Sequence, residues 1–283
     1  MKKNATPGTN LGTNPVTNTG FARFLTIFTL ISRIPVKRRF EADFSRADFW
    51  IPALSPLVSI SALAGFGVGI ALTGNLLLAS IASIALQYFS FNLFHLDGLV
   101  DTADAMLPAA TPERRLDILK DPLVGTYGLF CGLLIFSARL GAIILLAEEG
   151  ILFSALIAGF LVAPLAGRLA AVLIPFISKP ARPSGLGSLM RGFSLARIAA
   201  GSILAIAPAI IFGFIAGGWK LSALCLGATI VAAAVTAFFI ARSYRLKVGG
   251  FTGDALGAAI EIGEVSAFAI IGIALRCMGG VLY

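Results

Sequence analysis

Residues 76–106 read LLLASIASIALQYFSFNLFHLDGLVDTADAM. The first part, 76–95, carries no carboxylate, lysine or arginine. It is long enough to cross a bilayer as a helix, which takes roughly 20 apolar residues. Asp97, Asp101 and Asp104 follow at offsets of four and three, which on a helix puts the three carboxylates on one face. Like charges on one stripe repel, so something positive must offset them, and a divalent cation is the compact solution. Ionisable groups at a membrane edge point to a functional site.

The surrounding composition extends this reading. Of 283 residues, 58% are hydrophobic and 13% charged, against roughly 25% charged in a soluble domain. The expected fold is all-α: a polytopic transmembrane bundle with spans at 51–73, 76–95, 127–147, 151–177, 196–217, 221–241 and 259–279. The apolar stretch 21–34 is short for a span and is expected as an interfacial helix. Residues 1–20 are polar, rich in Asn, Thr and Gly, and read as a disordered tail. Residues 21–283 then form a single integral-membrane domain. Pro164, Arg168 and Pro175 predict a kinked or broken fourth span. Cys131, Cys225 and Cys277 have no metal or disulfide spacing and read as small core residues.

The net charge of +8 does not indicate nucleic-acid binding. Eighteen of the 22 Lys and Arg fall in the N-terminal region and in loops 96–126, 178–197 and 242–258. The alternate connections hold only Lys220. By the positive-inside rule the basic face is cytoplasmic. Arg139 and Arg168 lie within spans and are expected to face the interior, paired with acids or ligand phosphate.

Three constellations on the basic face carry chemistry. The first joins the aspartate stripe to ERRLDILKDPLVGTYG (113–128), which supplies Arg114, Arg115 and Lys120. Carboxylates hold Mg2+ through oxygen, the metal bridges phosphate oxygens, and cations hold the rest, as phosphoryl transfer requires. Asp121, Gly125 and Gly128 form a turn whose amides suit a phosphate, or a plain loop. The second is GGFTGDALGAAIEIGE (249–264), where Gly249, Gly250 and Gly253 allow close ligand approach. Asp254, Glu261 and Glu264 follow, either as a second half of a metal site or as buried acids paired with arginine. The third is SKPARPSGLGSLMRG (178–192), a substrate loop or simply a basic loop. His95 is the only histidine. It is read as a metal ligand, a general base or a substrate contact, or as structural.

The strings HLDGLVDTADAM…ERRLDILKDPLVGTYG and GGFTGDALGAAIEIGE resemble the cobalamin synthase family, adenosylcobinamide-GDP ribazoletransferases. The likeness extends to SRIPV (32–36), LSPLVS (54–59) and ARPSGLG (181–187). The resemblance implies an integral inner-membrane enzyme of a prokaryote, with its active site facing the cytoplasm and Mg2+ as cofactor. Its substrates would be adenosylcobinamide-GDP and α-ribazole or its 5′-phosphate, giving adenosylcobalamin or its 5′-phosphate plus GMP. Its partners would be these small molecules and the lipid bilayer, with no nucleic acid, and a homo-oligomer is left open. The expected metal ligands are Asp97, Asp101, Asp104 and Asp254, which with His95 form the catalytic set. The expected substrate contacts are Arg114, Arg115, Lys120, Asp121, Gly125, Arg182, Gly250, Thr252 and Glu261.

Two other classes remain at this point. A CDP-alcohol phosphotransferase also uses aspartates on helix ends, but Asp97-Gly98 lacks that family's following Ala-Arg. Intramembrane prenyltransferases use paired aspartate-rich motifs absent from this chain. An ion-coupled transporter would set its acids near the midplane in repeated halves.

Overall fold

The computed structural model describes residues 19–37, 39–148, 153–183, 185–190 and 192–277. Residues 1–18 of the expected tail lie outside them, and Thr19 and Gly20 already belong to the first helix. The described residues form α1 (Thr19–Ile31), α2 (Ala47–Ala53), α3 (Ser55–Thr73), α4 (Leu76–Gln87), a π turn (Tyr88–Asn92), α5 (Leu93–Met106) and α6 (Pro112–Ile118). They continue with α7 (Thr126–Glu148), α8 (Phe153–Ile177), α9 (Leu186–Leu189), α10 (Leu195–Val248) and α11 (Gly253–Cys277). No strand forms among them beyond one isolated bridge.

Six helical stretches are long and apolar enough to cross a membrane. One of them, α10, makes two crossings. Gly218 breaks it with φ 67° and ψ −167°, a backbone that side chains disfavour. Beyond the break Ser222 Oγ donates to Ile210 O at 2.9 Å. Those residues would be about 18 Å apart along a straight helix, so the chain has turned back on itself. Seven crossings result, as the sequence predicts, with the turn between the expected fifth and sixth.

Several boundaries differ from the expectation. The first span begins at Ala47 rather than 51, and α11 begins at Gly253 rather than 259. The expected loop from residue 96 is still helix as far as Met106. Leu99, Ala103 and Met106 are buried there at helical spacing, so packing extends the helix past the acids. The fourth span is helical from Phe153 to Ile177 despite Pro164 and Pro175. It is the central helix, 78% buried against 17% for α7, and α3, α10 and α11 enclose it. Of the three cysteines only Cys225 is buried. The expected interfacial helix is α1, which lies against the bundle: Phe24 meets Trp50 at 5.5 Å, Phe28 meets Phe91 at 6.2 Å, and Ile27 is inaccessible.

A charged network ties the bundle together inside. Arg139 on α7 bonds Glu261 at 2.8 Å and Glu264 at 2.7 Å, both on α11. Arg168 on α8 bonds Glu264 at 2.7 Å and donates to Asn92 Oδ1 at 3.1 Å. Gln87 and Asn92 donate to Glu264, and Tyr88 and Asn92 donate to Glu261. All four charged side chains are fully buried. Two cations meet two anions, so the charges balance, and every carboxylate oxygen accepts at least one hydrogen bond, while Arg139 Nε and Arg168 Nε have no partner among the described residues. Removing one member leaves an uncompensated buried charge, which costs about 3–5 kcal/mol. Arg139→Leu is therefore expected to lower the thermal unfolding temperature in detergent, and Arg139→Leu with Glu261→Leu to recover part of the loss.

Candidate active site

The acids are brought together by a close helix crossing. A side chain at Gly98 of α5 would meet Asp254 Cα at 3.1 Å and Gly257 Cα at 3.3 Å. At Gly257 it would meet His95 O at 2.9 Å. Two bare glycine surfaces thus let α5 and α11 touch backbone to backbone. The crossing lies beside Asp97 and Asp254 and about one turn from Asp101. Asp101 is near enough to be repelled by Asp97, Asp254 and Asp104. The two acidic segments therefore meet in one place, as a shared site requires.

The four aspartates are not equivalent. Asp104 accepts from the Gly125 N–H at 2.7 Å and the Gly128 N–H at 2.8 Å. It caps α7 with a carboxylate, where the helix dipole favours negative charge. A side-chain carbon at Gly125 would stand 2.5 Å from the Asp104 carboxylate, and Gly128 has no room for one either. The Gly125 amide, expected to hold a phosphate, is thus engaged by the protein's own acid. Asp254 Oδ2 accepts from Thr252 Oγ1 at 3.0 Å. Asp97 is exposed and Asp101 half-buried. Among the described residues none of the four aspartates is in an ion pair.

Nearby cations are turned to the main chain. Arg115 Nη1 donates to Ala105 O at 2.6 Å, and Lys247 Nζ donates to Met106 O at 2.6 Å. Both satisfy carbonyls at the C-terminus of α5, where cations are favoured. Arg182 Nη2 donates to Leu116 O at 2.7 Å, close enough for its charge to act on Asp254. Arg114 is exposed, Lys120 pairs at 3.8 Å with Asp117, and Asp121 accepts from the Leu123 N–H at 3.1 Å within the turn.

The basic loop after α8 and the glycine string join. Phe251 N–H donates to Lys179 O at 2.9 Å, and Ala181 N–H donates to Phe251 O at 2.8 Å. Gly250 is needed for this approach, since a side chain there would lie 2.7 Å from Ala181 N. Its closeness therefore serves the loop pairing rather than a ligand.

Two expected site residues are not with the acids. Glu261 lies deeper along α11, held by Arg139, Tyr88 and Asn92. His95 is buried, and its Nδ1 has no partner among the described residues. Two residues along a helix point to nearly opposite sides, so adjacency to Asp97 in sequence is separation in space. The sequence reading missed three supports: Lys247, and the hydrogen bond at 2.8 Å between Tyr244 OH and Thr102 Oγ1, which ties α10 to α5. No periodicity distinguishes them; they become visible only when α10 is seen to return beside α5.

Two cavities border the acids. One, of about 520 Å³, lies between α1 and α5 and reaches Asp97. The other, of about 210 Å³, is bounded by Arg182, Gly185, Gly187, Thr252 and Asp254. The donors suit Mg2+: hard carboxylate oxygens bearing no cation. The described residues contain no preformed group of three metal-ligating side chains. That is compatible with Mg2+, which keeps waters and binds through one or two carboxylates plus substrate phosphate.

The differing surroundings predict differing stabilities. Asp104→Ala removes two charge-assisted hydrogen bonds, each worth roughly 1.5–3 kcal/mol, and is expected to lower the thermal unfolding temperature in detergent. Asp97→Ala removes only repulsion and is expected to leave it unchanged or raise it.

Residues 23–272 match the family model described as cobalamin-5-phosphate synthase. Adenosylcobinamide-GDP ribazoletransferase of Escherichia coli (strain K12) is 30% identical over 247 residues, covering 86% of this chain and 96% of that protein. The protein of the same name from Thermosipho africanus is 30% identical over 234 residues, covering 83% and 91%. The Citrobacter koseri protein of that name is 30% identical over 251 residues, covering 86% and 96%. No solved structure matches. The chain belongs to the cobalamin-5-phosphate synthase family and is a membrane-embedded transferase of cobalamin biosynthesis.

Proposed function

We propose that the chain joins adenosylcobinamide-GDP to α-ribazole or its 5′-phosphate. An acceptor hydroxyl oxygen bonds to the phosphorus that carries the corrinoid. The bond from that phosphorus to GMP breaks, GMP leaves with the electron pair, and the hydroxyl proton passes to a carboxylate of the cluster. The products are adenosylcobalamin, or its 5′-phosphate, and GMP.

The observation that carries this reading is the set of carboxylates at the α5–α11 crossing, none of them in an ion pair among the described residues. An enzyme that receives a pyrophosphate with Mg2+ needs such a deficit, because its catalysis is mostly positioning and charge neutralisation. Asp97, Asp101 and Asp254 would hold the metal; Asp104 fixes the end of α7 beside it. Mg2+ would neutralise pyrophosphate charge as it develops on the leaving group. Arg182, beside Asp254, suits the donor's phosphates. The substrate identities follow from the relatives, which are named adenosylcobinamide-GDP ribazoletransferases. The acids of the interior, where a transporter would bind its coupling ion, are already occupied by Arg139 and Arg168.

The site is proposed to face the cytoplasm of a prokaryotic cell. Lys and Arg concentrate at the connections on the acid-bearing end, which the positive-inside rule assigns to that side.

Purified protein supplied with both substrates is expected to release GMP and form the cobalamin product only with Mg2+. Chelation is expected to abolish turnover, and added Mg2+ to restore it. Asp101→Asn is expected to fold and to lose turnover by roughly 10²–10³-fold, the usual effect of removing one electrostatic contact at a reacting centre. Near-normal turnover of that variant at saturating substrate overturns the metal assignment.

A further inference from the structure

We infer that the cavity between α1 and α5 is the binding site of the acceptor nucleoside, with Arg33 selecting for a 5′-phosphate on it. This rests on the ribazole-transfer reading above.

The cavity's walls match one substrate and not the other. Leu30, Ile31, Phe91, Phe94 and Leu96 make most of the surface apolar and partly aromatic. Ser32, Arg33 and Asp97 supply its polar edge. Such a site favours a flat, uncharged ring with a polar sugar at one end. A volume of about 520 Å³ suits a small nucleoside, whereas a corrin macrocycle with its amide arms is far too large. The other cavity is more polar: beside Leu119, Pro180 and Phe251 it presents Arg182 and Thr252, which suit the diphosphate, with the macrocycle left outside.

The two cavities share no lining residue, and each is bordered by one of the acids. Asp97 borders the first, Asp254 borders the second, and Asp101 is under the influence of both. Displacement at phosphorus needs the attacking and leaving oxygens roughly in line. Acceptor and donor arriving from separate cavities meet that need.

The polar edge is anchored: the Arg33 backbone is fixed by its N–H donating to Ser90 O at 2.8 Å, while its side chain is exposed at the cavity. A guanidinium held there reads a phosphate. This gives a role to the SRIPV string, which nothing in the acid cluster explains.

The test uses the full-length protein in nanodiscs, with adenosylcobinamide-GDP as donor and α-ribazole or its 5′-phosphate as acceptor. Arg33→Ala is expected to raise KM for the phosphorylated acceptor about tenfold, the loss of one charge-assisted contact. KM for α-ribazole and for the donor is expected to stay within about twofold. Leu93→Trp, a partly exposed wall position, narrows the cavity and is expected to raise KM for both acceptors with the donor KM unchanged. Arg33 is exposed, so its variant carries the test if Leu93→Trp does not accumulate. An equal rise for both acceptors in Arg33→Ala, a rise for the donor alone, or no change overturns the proposal and leaves the transferase reading standing. Failure of the unmodified protein to turn over either acceptor overturns the transferase reading itself.

Discussion

A charge inside a bilayer must be cancelled by its neighbours, and the bundle is organised around that requirement. Arg139 and Arg168, from two helices, close on Glu261 and Glu264 of a third. The π turn brings Tyr88 and Asn92 to the same acids. Hydrophobic contact between helices is weak in lipid, because the tails are as apolar as leucine. A directional ionic clasp fixes what greasy surfaces leave free: the depth and rotation of α11 against α7 and α8. Asp254 lies on that same α11, two to three turns nearer the membrane edge, so the clasp sets where the acidic site forms.

The same residue class is thus used in two opposite ways along one helix. Glu261 and Glu264 are neutralised by the protein and hold it together. Asp254 and the α5 acids form no ion pair among the described residues. The difference follows from depth: the deep acids have no water to solvate them, so only pairing makes them affordable, whereas Asp97 at the exposed end is solvated. A site that must bind a cation together with an anionic substrate belongs at the solvated end.

This division marks the limit of what the sequence discloses. Apolar lengths locate seven crossings, and offsets of four and three place Asp97, Asp101 and Asp104 on one helix face. Both are local properties. Whether Glu261 serves a ligand or an arginine depends on Arg139, more than a hundred positions away, and the spacing of GDALGAAIEIGE is silent on it. His95 illustrates the same limit at short range: proximity in sequence suggests partnership with Asp97, while the helical turn points the two apart. Gly125 and Gly128 look like phosphate-binding amides, and only the fold reveals that Asp104 reaches them first. Nor does charge mark the end of a span, since Leu99, Ala103 and Met106 keep α5 packed beyond its first acid.

The cations around the site make the final distinction. Arg115, Lys247 and Arg182 all stand near the acidic end, and each donates to a backbone carbonyl. Had they turned to the carboxylates, the cluster would be quenched and a metal would have to displace them. Bound to carbonyls, they stabilise the C-terminal ends of α5 and α6. They also keep positive charge close by for a phosphate. The backbone carbonyls thus hold the cations apart from the aspartates. Positive and negative charge then stand side by side without cancelling, which is the condition a site for Mg2+ and pyrophosphate must meet before either arrives.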